Sequence, residues 1–239
     1  MHFVSETLRI LNSVGRRFAI SVLLCFALGA AGRAAEGAAA KLSTGDSILF
    51  YGAGMVERLL EEGFLETQLQ LAHPGRHLKV RSLAWTGDEV GHRLRPEGYV
   101  EHMKSLLAAW PAKVVVLGYG MNESFAGLGG VESFRAQYEI YLREMTRRHP
   151  GAALVLLSPI AAGDHPGTNA MGRNRELAAY ADVMADLAQK HRAQFVDLFT
   201  ASREAYARSS EPLTAQGLHL SLIHISEPTR LRRISYAVF

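Results

Sequence analysis

Gly45 to Arg58 reads GDSILFYGAGMVER, and where the chemistry sits in this stretch decides both the fold and the function. The Gly45-Asp46-Ser47 triplet is of the kind that carries a hydrolase nucleophile. Its position argues against that use. Ile48-Leu49-Phe50-Tyr51 is a continuous apolar run closed by a glycine, which predicts a buried parallel strand, and a helical pattern begins near Met55. In open α/β sheets ligands gather beyond the carboxyl ends of the strands. That end is Gly52-Ala53-Gly54, whereas Ser47 opens the strand at the far edge of the sheet. Ser47 is therefore expected to be a strand-entry residue.

Working outward, the chain alternates elements of the two periods. Met55 to Ala72 has apolar residues near helical spacing, with Gly63 as a possible break. Leu78 to Ala84 alternates like a strand with one wet face. Tyr99 to Trp110 predicts a helix stopped by Pro111, and Val114 to Leu117 a central strand buried on both faces. Val131 to Arg148 predicts a helix ending in basic residues, as a helix carboxyl end favours. Further on come a strand at Ala153 to Leu157, a loop at Gly163 to Gly172, a helix at Asn174 to Arg192, a strand at Gln194 to Leu198 and a short helix at Ser202 to Arg208. Such alternation predicts one α/β domain in three layers, with helices on both faces of a parallel sheet.

Both ends of the 239-residue chain stand apart from this pattern. Arg16 and Arg17 precede an apolar stretch from Phe18 to Ala31, and Gly32-Arg33-Ala34 offers small residues for cleavage. Residues 1–34 are therefore expected to be a signal peptide and the protein exported, periplasmic or extracellular. The stretch is short for a membrane span, so the membrane is a partner only if this segment stays uncleaved. Cys25, the single cysteine, lies inside it. The mature chain is then expected to hold no disulfide, thiolate nucleophile or cysteine-ligated metal. Residues 35–44 form an Ala-rich linker, and 45–220 the domain. Ser221 to Phe239, SLIHISEPTRLRRISYAVF, breaks the pattern and resembles translated vector or adaptor sequence, a non-native tail.

These ends also carry the charge. The formal net charge is +3 and the sequence pI about 9.1, yet the first 34 residues hold four arginines against one glutamate. The tail holds three arginines against one glutamate. Removing both leaves about −2 for the domain, which excludes a basic nucleic-acid surface as the reason for the high pI.

Three loops leave the carboxyl ends of successive strands with Gly52-Ala53-Gly54, with Gly87, and with Gly120-Met121-Asn122. His219 follows in a late loop, Gln216-Gly217-Leu218-His219. On these residues the sequence resembles the SGNH/GDSL hydrolase family over about residues 45–220. The resemblance implies a flavodoxin-like three-layer fold and an ester-hydrolase cleft. It implies a catalytic-site set of Gly87 and Asn122 as oxyanion donors and His219 as the base. Two positions depart from the pattern. Gly54 stands where the family has its serine, and Gln216 where it has an aspartate.

The departures bear on mechanism. Acyl transfer needs a nucleophile, and Gly54 offers no side chain. Gln216 can orient an imidazole but supplies no charge to stabilise an imidazolium, and the comparable acid-to-amide change in serine proteases costs about 10⁴ in turnover. What remains is the oxyanion side. The expectation is an ester-hydrolase-like domain with weak or no serine-esterase activity, in which water activated by His219 or a carboxylate, or a displaced serine such as Ser47, would have to act. The alternative is a non-catalytic module of a larger secreted protein that binds a carbohydrate or acyl ligand. Either way the partner is a small molecule, glycan or acyl ester, not nucleic acid. No cofactor or metal is expected: Gly118-x-Gly120 is not a dinucleotide fingerprint, and no phosphate loop or HExxH occurs. Asp88-Glu89 is read as a solvated loop, and His73, His77, His92, His102, His149, His165 and His191 as surface residues.

Overall fold

The computed structural model describes residues 42–61, 63–210 and 212–220. The expected signal peptide, most of the linker and the tail lie outside the described residues. In chain order the elements are β1 (Ser47–Gly52), α1 (Gly54–Glu61), α2 (Phe64–Ala72), β2 (Lys79–Ser82), α3 (Tyr99–Ala109) and β3 (Ala112–Gly118). Two short 3₁₀ turns lead into α4 (Val131–Arg148), β4 (Ala153–Leu157), α5 (Ala170–Lys190), β5 (Gln194–Val196) and α6 (Leu198–Arg208). The small hairpin of β6 (Thr214–Ala215) and β7 (His219–Leu220) comes last.

All six residues of β1 are buried, which is why its sequence is a solid apolar run rather than an alternation. Side chains along a strand point alternately to opposite faces. Ile48 and Phe50 accordingly join the core under α1, α2 and α6, while Leu49 and Tyr51 join the core under α4. α5 serves both layers: Leu177 and Ala181 pack on the first, Tyr180, Met184 and Leu187 on the second. The result is the single three-layer α/β/α domain around a parallel sheet that the sequence implied.

The strand order is β2-β1-β3-β4-β5, and every neighbouring pair is parallel. The order reverses between β1 and β3, so the loops leaving these two strands part toward opposite faces. Between them opens the crevice in which such sheets hold ligands. Its floor is tight. Ala53 N–H donates to the Gly118 carbonyl at 3.2 Å, and a Cβ on Gly52 would lie 2.5 Å from that same oxygen. Gly52 is thus the close-approach glycine of the turn. Gly54 is simply the first residue of α1, with no positive φ to explain it.

Several local expectations shift. The helix expected over Met55 to Ala72 divides at Gly63, whose φ of 70° makes it the left-handed entry to α2. α5 opens at Ala170 instead of Asn174, because the Asn169 side chain caps it by accepting from Gly172 N–H at 2.9 Å. α6 likewise opens at Leu198 instead of Ser202, capped by Asp197 through Thr200 N–H at 2.9 Å. β2 is shorter than Leu78 to Ala84, and only Val80 of its four residues is buried. His149 is not a surface residue. It is 5% exposed, its Nε2 lies 2.9 Å from the Tyr51 hydroxyl, and burial pushes its pKa down to about 4.

Candidate active site

The crevice beyond β1 and β3 is lined by the loops that the sequence singled out, and each is held in a different way. At the first, α1 begins with Gly54. A Cβ built there would meet Thr86 Oγ1 at 3.0 Å, so the Thr86 hydroxyl occupies the space that a side chain at position 54 would enter. Three residues into α1, Glu57 reaches across: its Oε2 accepts from Thr86 N–H at 2.9 Å and from the Thr86 hydroxyl.

The second loop runs from Leu83 to Val90. Trp85 N–H donates to the Gly52 carbonyl at 3.0 Å, continuing the strand pairing past β2, and Asp88 N–H closes a turn on the Trp85 carbonyl at 3.0 Å. Gly87 lies inside that turn with φ 90°, a conformation that glycine adopts without a steric penalty, and nothing stands within 4 Å of its absent Cβ. Asp88 corrects the expectation of a solvated loop. It is buried, and its carboxylate binds Arg95 through both guanidinium nitrogens, at 2.7 Å on one side and more closely on the other. That pair raises the Arg95 pKa, the hydrogen bond to Asp88 being the main cause. Asp88 is therefore engaged in structure and does not face the crevice as a base.

The third loop follows β3. Asn122 Nδ2 donates to the Asp88 carbonyl at 3.1 Å, which brings Asn122 beside the Gly87 turn. Glu123 ties the two loops together, although the sequence did not single it out. Its Oε1 accepts from Val90 N–H at 2.9 Å and its Oε2 from Gly120 N–H at 2.8 Å. Burial pushes the Glu123 pKa up, and the two backbone N–H groups oppose that shift. Arg173, from α5, clamps the same loop. Its guanidinium donates to the carbonyls of Ser124 and Met121 at 2.7 and 3.2 Å and to Ser124 Oγ at 2.6 Å, and lies 3.9 Å over the Phe125 ring. A glutamate three residues after Gly120 has the spacing at which a side chain reaches back to a backbone N–H. Arg173 gave no such signal, because its contacts span about fifty residues of chain.

The late hairpin completes the rim. Gly163 N–H, in the loop beyond β4, donates to the Gly217 carbonyl at 2.8 Å, which seats the hairpin at the carboxyl edge of the sheet. Gln216 has φ 55°, in the left-handed region. The His219 pKa is lowered, first by burial and then by the charge of Arg58 on α1. The charge that acts on this imidazole is thus a cation. Gly54, Gly87 and Asn122 thus lie at the carboxyl edge of the sheet, and the hairpin that carries Gln216 and His219 is seated on that edge by the Gly163–Gly217 bond.

Ser47 is elsewhere. It pairs with Lys79 and Ala112 at the amino end of the sheet, five residues before Gly52 and so about 16 Å away along the strand. There it lines a shallow pocket with Asp46, Lys79 and Trp110. Among the described residues no group of three or more His, Cys, Asp or Glu is arranged to hold a metal ion. Among the same residues no helix is long and apolar enough to cross a membrane.

Comparison with known proteins adds the context. The model of the GDSL-like Lipase/Acylhydrolase family matches residues 44–222. No curated protein matches the chain. Solved structures do. One is a variant of Axe2, an acetyl-xylooligosaccharide esterase from Geobacillus, with TM-score 0.58 and 16% identity over 78% of this chain and 97% of that one. Another is the acetyl xylan esterase AlAXEase, with TM-score 0.53 and 18% identity over 81% of this chain and 100% of that one. At these identities the likeness is one of fold.

Proposed function

The chain belongs to the GDSL-like lipase/acylhydrolase family, and from that premise we propose that its cleft keeps the oxyanion side of an ester hydrolase but has lost the serine route. Gly54 stands at the β1–α1 junction where the family's nucleophile belongs. Gly87 and Asn122 are the oxyanion donors, and His219 stands where the family has its base. Gln216 takes the place of the acid. Serine-esterase activity is then weak or absent.

One observation carries this reading: the junction at the carboxyl end of β1 is a glycine, while the serine of Gly45-Asp46-Ser47 sits at the opposite edge of the sheet. The surroundings of His219 support it. An imidazole that takes a proton during acyl transfer is stabilised by a carboxylate partner. Here Arg58 disfavours the protonated form.

A second reading is a module that binds a glycan or acyl ester without turning it over. It is favoured by two exposed aromatic side chains on the loops that carry Gly87 and Asn122. Trp85 is 51% and Phe125 63% exposed, a form of surface suited to stacking on sugar rings. In both readings residues 1–34 direct export.

The test is treatment of the full chain with a fluorophosphonate probe, read by peptide mass spectrometry, beside calorimetric titration with acetylated xylo-oligosaccharides. No serine is expected to be modified. Modification of Ser47 would overturn the reading. Saturable binding without turnover would favour the module.

A further inference from the structure

The space in front of Gly54 holds a hydroxyl that belongs to another residue. A Cβ at Gly54 would be 3.0 Å from Thr86 Oγ1 and 3.8 Å from both Thr86 Cβ and Cγ2. That hydroxyl donates to Glu57 Oε2, and the backbone N–H of Thr86 donates to the same oxygen at 2.9 Å, which fixes the pair in register. Gly87 is the next residue, and its N–H lies one peptide unit from the hydroxyl. Asn122 is joined to the same turn through the Asp88 carbonyl at 3.1 Å. A hydroxyl, a carboxylate accepting its proton, and two donors suited to an oxyanion therefore share one side of the crevice. A nucleophile held by hydrogen bond to a general base is the arrangement that activates side-chain hydroxyls.

We propose that Thr86 is the residual nucleophile of this cleft and Glu57 its general base, so that the chain hydrolyses activated esters slowly through an acyl-threonine. The proposal rests on the reading above, in which position 54 contributes no hydroxyl. In the first step Thr86 Oγ1 bonds to the ester carbonyl carbon, its proton passes to Glu57, and the carbonyl electron pair moves onto oxygen beside Gly87 N–H and Asn122 Nδ2. The tetrahedral species collapses with cleavage of the bond to the alcohol oxygen, which takes the proton from Glu57. Water then attacks the acyl-threonine carbonyl and gives its proton to Glu57. The Thr86 oxygen leaves and regains that proton, so ester and water yield acid and alcohol. The route is slow because a carboxylate is a weaker base than an imidazole at neutral pH, and the secondary hydroxyl is crowded by its own methyl group.

The test uses the full chain, p-nitrophenyl acetate, and a fluorophosphonate probe with the adduct located by tandem mass spectrometry. The expected adduct is on Thr86. Thr86→Ala loses it along with the hydrolysis, and Thr86→Ser labels faster than wild type. Glu57→Gln is the decisive variant. Its amide oxygen can accept the same two hydrogen bonds, so a merely structural latch would tolerate it, whereas loss of the base should slow labelling by about 10²–10⁴-fold. Absence of a Thr86 adduct in the wild type, or labelling that Glu57→Gln leaves unchanged, overturns the proposal. The two readings fail differently. A chain that labels nowhere refutes Thr86 alone, whereas a modified Ser47 refutes the placement of Gly54 as well.

Discussion

The loops that carry Gly87 and Asn122 are fastened to the fold by buried charge, whereas the hairpin that carries Gln216 and His219 is seated by a backbone bond from Gly163 N–H to the Gly217 carbonyl. On the first side Glu123 accepts two backbone N–H groups from different loops, Arg173 spans two carbonyls and a hydroxyl, and Asp88 pairs with Arg95 beneath the turn. On the second side His219 answers to a cation. Gly54 offers nothing beyond Cα. On the reading proposed above, the donors at Gly87 and Asn122 and the position where the family has its serine lie on separately fastened segments. One can be degraded without unfolding the other.

The largest effect should come from unfastening the loops. Glu123→Ala leaves the N–H groups of Val90 and Gly120 without their acceptor, at a cost of about 1–3 kcal/mol for each stranded donor. Urea denaturation should show a loss of about 2–6 kcal/mol in all, with Glu123→Gln losing less. If Glu123→Ala unfolds like wild type, the carboxylate is not what joins the two loops.

A second, somewhat smaller effect separates a histidine of the core from the one in the cleft. The fold holds His149 neutral, with a pKa near 4 against 6.5 for a free ring. Between those values the unfolded chain takes up a proton that the fold refuses, so stability falls as pH drops from about 6.5 toward 4, and above that window this group contributes no pH dependence. The loss should be about 3 kcal/mol, and His149→Gln should flatten that part of the profile. An unchanged profile in the variant would assign the slope to other groups.

The smallest effect concerns the hairpin. Gln216→Asp puts a carboxylate close to His219 and should raise its ring pKa by about one unit or more, followed by proton NMR. Aspartate also tolerates the left-handed φ of 55° at this position better than glutamine does. Stability should change by no more than about 0.5 kcal/mol, as for most exposed substitutions. A ring pKa that does not move would mean that the hairpin does not bring position 216 to the imidazole.

How much of this could be read from the chain follows from the range of the interactions. β1, β3 and the crevice between them were legible, because a strand buried on both faces must be a solid apolar run and the loops after it must turn on glycine. The helix boundaries at Asn169 and Asp197 were signalled by capping residues but masked by the loop composition around them. Asp88 with Arg95 was not legible, since an acidic pair after a strand looks solvated until a partner seven residues later folds onto it. Thr86 and Glu57 meet only because α1 and the second loop lie side by side. His149 follows a basic run that reads as surface, yet the end of α4 turns it inward against Tyr51.

The central claim, that a ligand-positioning wall survives beside a vacant nucleophile position, is tested most directly by refilling that position. The refilled chain carries Gly54→Ser with Gln216→Asp, and the Cβ it adds at position 54 needs Thr86 to give way by a few tenths of an ångström. The account predicts a fluorophosphonate adduct at position 54 and p-nitrophenyl acetate turnover at least about a hundredfold above wild type. A double variant that folds like wild type, forms no adduct at position 54 and gains no turnover would contradict it.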